Sequence, residues 1–278
     1  MEVKSIIQKH EFRYKKALGQ NFITDNSLLQ AIVRDAEITE NDTVVEIGTG
    51  AGTLTRAIAQ KAKRVISFDV DSDLQNILAE TLAGLENVEV IFRDVLKMKD
   101  EELTEIIGGK FKVVANLPYY ITTPMVMRFM DSALPVESLT VMVQKEVAER
   151  ITANAGTSDY GAITVSIRYR ADVKVTRIVG RQLFFPQPKV DSAVLHIKMN
   201  KNKYNIADEK LLRRTIKCGF AMRRKTLVNN LSMAFNFSKE DSKSILQECG
   251  HDERIRGEVL SVEQYIALAE SINIKLPK

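Results

Sequence analysis

"VVEIGTGAGTLT" (residues 44–55) passes from a short apolar run into three glycines and then into a segment of helical spacing. Val44, Val45 and Ile47 form the β-branched run of a strand buried on both faces, and Gly48, Gly50 and Gly52 follow where the chain must turn. Glycine tolerates positive φ and lets a ligand come close to the backbone. The spacing is G-x-G-x-G, not the dinucleotide G-x-G-x-x-G, and no G-x-x-x-x-G-K-[ST] occurs. Alone, the stretch also admits the reading of a plain strand-to-helix turn.

Its surroundings decide the fold. Further Val- and Ile-rich runs recur at "RVISFD" (64–69), "VEVIF" (88–92), "KVVAN" (112–116) and "LTVMVQ" (139–144). Helical patterning lies between them at 52–62, 73–85 and 123–133. Strands alternating with helices imply right-handed crossovers and a mostly parallel, doubly wound α/β sheet. "ITVSIRYRADVKVTRIVG" (163–180), helix or strand, and "KVDSAVLHIKM" (189–199) then complete the sheet. Beyond about residue 200 only helical segments remain, at 208–221, 224–235, 238–250 and 261–272, with Ser238 and Ser261 in N-cap positions. The expected division is a catalytic domain over 1–200 and a small all-helical domain over 201–278.

Composition narrows the function. With 45% hydrophobic and 27% charged residues, and no apolar run near the roughly 20 residues that span a bilayer, a soluble cytoplasmic protein is expected. The N-terminus lacks the apolar core of a secretory signal. Cys218 and Cys249 have no CxxC spacing, and His10, His196 and His251 are scattered, so neither a disulfide framework nor a metal site is expected. The net charge of +4 is unevenly spread: residues 201–230 carry nine Lys or Arg against two acids, a local +7 that leaves −3 elsewhere. Such a patch suits an anionic polymer, or is a solvated helix face.

Ligand-type groups stand at successive strand ends. Asp69 closes "SFD" 21 residues after Gly48, where a carboxylate can accept from both hydroxyls of a ribose. Asp94 of "FRDVL" can accept from an adenine amino group. The ligand implied is adenosine-based without a pyrophosphate, which S-adenosylmethionine fits. The fourth strand ends in "NLPY" (116–119). The lone pair of a nucleobase amine is delocalised into its ring, and two acceptors, the Asn116 side-chain oxygen and the Leu117 carbonyl, would draw that nitrogen towards tetrahedral geometry. Pro118 stiffens the turn, and Tyr119 offers a face to an unstacked base.

Together "KALGQNFITD", "EIGTGAG", "SFDVD", "RDVL", "NLPYYITTP", "QKEVAERI", "FFPQPKVDSAV" and "MRRKTLVNNL" resemble the rRNA adenine N6-dimethyltransferases, and among them the bacterial 16S rRNA branch, over about residues 10–260. The resemblance implies a Rossmann-like class I S-adenosylmethionine-dependent methyltransferase that dimethylates N6 of two adjacent adenosines in a hairpin loop near the 3′ end of 16S rRNA during small-subunit biogenesis. Apart from the resemblance, no metal, no membrane and a monomer are expected. Carried over by motif, Gln20, Asn21, Ile23, Gly48, Gly50, Asp69, Asp94 and Asn116 hold the cofactor. Phe184 would sandwich the target adenine opposite Tyr119, with Asn116, Leu117 and Pro118 beside it. Arg213, Arg214, Lys217, Arg223, Arg224 and Lys225 would contact RNA phosphates, joined by Lys9, Arg13, Lys15 and Lys16. Two positions depart from the family: Asp69 where Glu is usual, and Ile23 where Leu is usual.

Two alternatives share the fold: a 23S rRNA adenine methyltransferase conferring macrolide resistance, and a non-catalytic rRNA-binding assembly factor. "NLPY" and the "MRRKTLVNNL" segment favour the 16S branch over the first, and the intact Asn-Leu-Pro-Tyr argues against the second. A DNA adenine methyltransferase usually carries an acidic first residue or Pro-Pro in this motif.

Overall fold

A computed structural model describes residues 3–10, 12, 15, 19–200 and 202–276. The chain divides into two compact units, one of Met1–Ala148 with Val173–Met199 and one of Glu149–Asp172 with Asn200–Lys278. The second unit therefore has two pieces, and the single boundary expected near residue 200 misses the first of them. The chain leaves the sheet-bearing unit after Ala148, returns at Val173 and leaves again after Met199.

The first unit is built on a seven-stranded sheet of β1 (Thr43–Ile47), β2 (Arg64–Asp69), β3 (Val88–Phe92), β4 (Phe111–Asn116), β5 (Val136–Gln144), β6 (Ala171–Val179) and β7 (Ser192–Met199), in the order β3-β2-β1-β4-β5-β7-β6. The first five are parallel to their neighbours, and β7 runs antiparallel to β5. This is the doubly wound arrangement that the alternating runs predict. Residues Val44 to Ile47 of β1 are all buried, as a strand flanked on both sides and covered on both faces requires. The order reverses between β1 and β4, the switch point where open α/β sheets place their ligands.

Short helices follow the strands. Thr53–Ala59 follows β1, Gln75–Thr81 follows β2, Asp100–Ile107 follows β3 and Thr122–Met130 follows β4. A core of Leu28, Ile32, Val44, Leu54, Ile58, Val65, Val114 and Val194, among others, joins helix and sheet. The helix Asn26–Asp35, not anticipated from the sequence, starts at Asp25, whose side chain accepts from the Leu28 N–H at 2.6 Å. Its last residue, Asp35, receives a forked pair from Arg177 on β6, at 2.6 Å from Nε and 2.7 Å from Nη2. "ITVSIRYRADVKVTRIVG" resolves into a helix, Ala162–Arg168, and then β6.

In the second unit, Ala162–Arg168, Glu209–Gly219, Leu227–Phe235, Lys239–Glu248 and Val262–Lys275 surround a core with Tyr160, Leu212, Ile216, Leu231, Leu246, Tyr265 and Leu268. Ser238 and Ser261 cap their helices as expected, accepting from Asp241 N–H at 2.9 Å and Gln264 N–H at 3.3 Å. Cys218 and Cys249 are both free.

Gly52 shows why the first turn needs glycine. Its φ is +79°, and a Cβ there would lie 2.8 Å from Thr81 Oγ1, a hydroxyl already held by its bond to the Ile77 carbonyl. Gly52→Ala should therefore lose about 1–3 kcal/mol of stability in chemical denaturation. An unchanged unfolding midpoint would show that the turn relaxes freely.

Candidate active site

The carboxyl ends of β1, β2, β3 and β4 open onto one cavity of about 1040 Å³, including its open mouth. Gln20, Asn21, Ile23, Gly48, Gly50, Asp69, Asp94, Asn116, Leu117, Pro118, Tyr119 and Phe184 all line it. Every cofactor and catalytic position anticipated in the first unit thus reaches the same space.

The glycine loop is tied rung by rung to the end of β2. Gly48 N–H donates to the Phe68 carbonyl at 2.8 Å, and Gly50 N–H donates to Asp69 Oδ2 at 2.9 Å. Gly48 and Gly50 have φ of +83° and +53°. Asp69 Oδ1 accepts from the Asp71 N–H at 2.9 Å. Each carboxylate oxygen keeps lone-pair capacity for a ribose hydroxyl. Burial raises the Asp69 pKa from its ordinary value, while the Gly50 and Asp71 N–H groups oppose the shift. Asp94 Oδ1 caps a short turn through Leu96 N–H at 3.0 Å, and Oδ2 lies 3.5 Å from Lys97 Nζ.

Asn116 ends β4 beside Gly48, because Ala115 pairs with Ile47 in the sheet. Its Nδ2 donates to the Asn21 carbonyl at 2.9 Å. A carbonyl only accepts, so this bond fixes which end of the amide is which, and Oδ1 is the acceptor that remains. The Pro118 carbonyl is occupied by Ile121 N–H and Thr122 Oγ1 at 3.1 and 3.3 Å. The Leu117 carbonyl accepts from no described residue. The two acceptors sought in "NLPY" are the two that internal bonding leaves available.

Tyr119 is half-buried, and its hydroxyl meets Ser192 Oγ at 3.0 Å. Burial raises the phenol's pKa; Ser192 opposes this and the Asp191 charge adds to it. Phe184 is 5% exposed and packs into the core while lining the cavity. It pairs with Ile23, and Phe22 with Phe185, in a two-residue antiparallel ladder that joins the "QNFI" and "FFPQP" motifs. Gln20 is held by Asp71, whose Oδ2 accepts from Gln20 Nε2 at 2.8 Å. Sequence reasoning missed Asp71 and Ser192. Both lie inside quoted motifs, but their part depends on partners distant in the chain.

The basic residues divide by what already holds them. Arg213, Arg214 and Lys217 lie on the helix Glu209–Gly219, whereas Arg223, Arg224 and Lys225 lie on the turn after it, not on a helix. Arg213 pairs with Glu209 at 3.5 Å. Arg214 lies over the Phe235 ring at 4.3 Å and donates to the Ala234 carbonyl. Arg223 bonds Glu258 and the Ser158 carbonyl at 3.2 and 3.0 Å. Lys217, Arg224 and Lys225 are exposed, and no described carboxylate pairs with them. At the N-terminus, Lys9 pairs with Glu80, and Lys15 with Asp71 and Asp73. Arg13 and Lys16 lie outside the described residues.

None of the three histidines lines the cavity. His196 is 2% exposed on β7, with Nδ1 bonded to Thr140 at 2.9 Å, in the structural part expected of it. Among the described residues, no helix is long and apolar enough to cross a membrane, and no group of three or more His, Cys, Asp or Glu is placed to hold a metal ion.

Residues 11–273 match the family described as "Ribosomal RNA adenine dimethylase". This chain belongs to the ribosomal RNA adenine dimethylase family. A member from Clostridioides difficile (strain 630), "Ribosomal RNA small subunit methyltransferase A", is 43% identical over 277 residues, covering 98% of this chain and 96% of that protein. The protein of the same name from Alkaliphilus metalliredigens is 43% identical over 278 residues, with the same coverage. Among solved structures, a dimethyladenosine transferase from Plasmodium falciparum matches with TM-score 0.80 and 25% identity, over 91% of this chain and 98% of that one. The 23S rRNA methyltransferase ErmE matches with TM-score 0.70 and 26% identity, over 91% and 99%. The rRNA adenine dimethylase fold therefore spans both units of the chain.

The Tyr119–Ser192 contact gives a test of this site. If the hydroxyl bond sets the ring's angle, Tyr119→Phe and Ser192→Ala should each lower kcat/KM for methyl transfer several-fold. The double variant should lose little more than either alone. Additive losses in that cycle would show that the two act independently.

Proposed function

We propose that this protein transfers methyl groups from S-adenosylmethionine to N6 of two adjacent adenosines in a hairpin loop near the 3′ end of 16S rRNA. It does so in the cytoplasm, on the immature small ribosomal subunit. The observation that carries the chemistry is the pair of available acceptors at the switch point, Asn116 Oδ1 and the Leu117 carbonyl, beside the Gly48 turn.

The cavity residues fit the cofactor. Asp69 presents a carboxylate anchored by two backbone N–H groups at the position of a ribose diol, and Gly48 leaves backbone exposed beside Asn116. S-adenosylmethionine, when bound, supplies an electrophilic methyl group on a positively charged sulfur. Asn116 Oδ1 and the Leu117 carbonyl accept the amino hydrogens of the target adenine, withdraw the nitrogen lone pair from the ring and direct it at the methyl carbon. Held by Asp69, Asp94 and the Gly48 turn, the cofactor would supply the methyl carbon for the new carbon–nitrogen bond and would keep the electron pair of the carbon–sulfur bond that is lost. The nitrogen, briefly cationic, loses a proton to solvent, so no side-chain base is needed. Tyr119 supports the unstacked base from one face, with the Phe184 side of the cavity opposite.

Lys217, Arg224 and Lys225 are the cations best placed for RNA phosphates, since internal bonds hold Arg213, Arg214 and Arg223. The choice of 16S over 23S rRNA rests on "NLPY", on "MRRKTLVNNL" and on relatives named for small-subunit methylation. Incubation of the protein with immature small subunits and with 23S transcripts, read by mass spectrometry, should yield paired dimethyladenosines in 16S rRNA alone. Asn116→Ala should lower transfer by at least about a hundredfold with RNA affinity nearly intact. Strong transfer confined to 23S rRNA, or unimpaired turnover by the variant, would overturn the assignment.

A further inference from the structure

Beneath the glycine loop lies an acid that no step of the transfer uses. Glu46 on β1 is 0% exposed and sits between Ser67 on β2 and Val114 on β4. Its Oε2 accepts from Ser67 Oγ at 2.7 Å, and Ser67 Oγ in turn lies 2.7 Å from Thr49 Oγ1. Thr49 is the middle residue of the loop, between Gly48 and Gly50, and is itself 4% exposed. The chain of three side chains therefore runs from Glu46 into the loop that meets the ligand. On the other side of the carboxyl group, Glu46 Oε1 and the Thr55 hydroxyl are both buried, and the Thr55 side chain is the polar group that faces the acid there.

Among the described residues, no cation answers this acid. From the helix Thr53–Ala59, Arg56 is turned to the Thr81 and Ala83 carbonyls. From β4, Lys112 is paired with Asp42. The charged group that faces Glu46 is Asp69 on β2, of the same sign. A fully buried carboxylate with no cation beside it and a like charge nearby is strongly disfavoured, whereas a neutral acid is not.

We propose that Glu46 is a positioning residue that holds the glycine loop as a protonated, neutral acid. Its proton resides on Oε1, Ser67 donates to Oε2 and Thr49 donates to Ser67. Loss of that proton places a negative charge under the loop and beside Asp69, and disturbs the carboxylate that Gly50 orients. The inference rests on the cofactor reading of the cavity.

Burial pushes the Glu46 carboxyl up to about 8, the Thr55 and Ser67 hydroxyls oppose the shift and the Asp69 charge adds to it. The folded state keeps a proton that the unfolded chain releases near the ordinary value of 4.5. Stability from this group therefore falls as pH rises from about 4.5 to about 8 and changes no further above it.

The test compares the wild type with Glu46→Gln, a neutral isostere, and Glu46→Ala. Melting temperatures are measured from pH 5 to 9, and affinity for S-adenosylhomocysteine by calorimetry from pH 6.5 to 9.5. The melting temperature of Glu46→Gln should gain on that of the wild type as pH rises to about 8, and the gap should then hold. Above pH 8 the wild type's Kd should rise by up to about tenfold per pH unit relative to Glu46→Gln. Glu46→Ala should bind at least about tenfold more weakly throughout, with rescue by Gln. Parallel melting and binding profiles for wild type and Glu46→Gln would overturn the proposal, and that comparison decides even if the Ala variant does not fold. Failure of the wild type to bind S-adenosylhomocysteine at all would instead contradict the cofactor reading, and the melting profiles would still decide the protonation of Glu46.

Discussion

Parallel pairing is the constraint on which the site depends. β3, β2, β1, β4 and β5 all run the same way, so their carboxyl ends share one rim, and whatever residue follows each strand is delivered there. Gly48, Asp69, Asp94 and Asn116 are far apart in the chain, yet each stands at the end of its strand or within two residues past it. The reversal of strand order between β1 and β4 then separates the following helices and opens the crevice in which these residues meet.

Within that frame, internal hydrogen bonds select which polar groups stay available. Asn116 uses its amino end on Asn21 and keeps its oxygen; the Pro118 carbonyl is used within its turn and the Leu117 carbonyl is not. Asp69 is held by two N–H groups without exhausting its acceptor capacity. The glycines serve the same end. Positive φ at Gly48 and Gly50 turns the chain sharply enough for the loop to be tied to β2 while its outer face stays open to the cavity.

Much of this was legible in the sequence because strand ends in a parallel sheet map directly onto a rim. Three glycines after one Val-rich run, an acid after the next and Asn-Leu-Pro-Tyr after the fourth therefore picked out residues that line one cavity. What stayed hidden depends on tertiary partners. The helix Asn26–Asp35 begins directly after the "KALGQNFITD" motif, whose ligand reading ended at Asp25. The piece Glu149–Asp172 joins the second unit through packing of Tyr160, Val165 and Tyr169, which no local pattern announces. Counting charges could not reveal that Arg214 lies on Phe235 or that Arg223 answers Glu258. Nor could it show that Phe184, expected as a stacking face, is nearly enclosed by the core.

The central claim is that the rim places an adenosine-bearing sulfonium so that its methyl faces Asn116. A crystal structure of the protein with S-adenosylmethionine tests it most directly. The account predicts the ribose hydroxyls on Asp69, the adenine beside Asp94 and the methyl directed at the space between Asn116 Oδ1 and the Leu117 carbonyl. A cofactor bound elsewhere, or bound with its methyl turned away from Asn116, would contradict it.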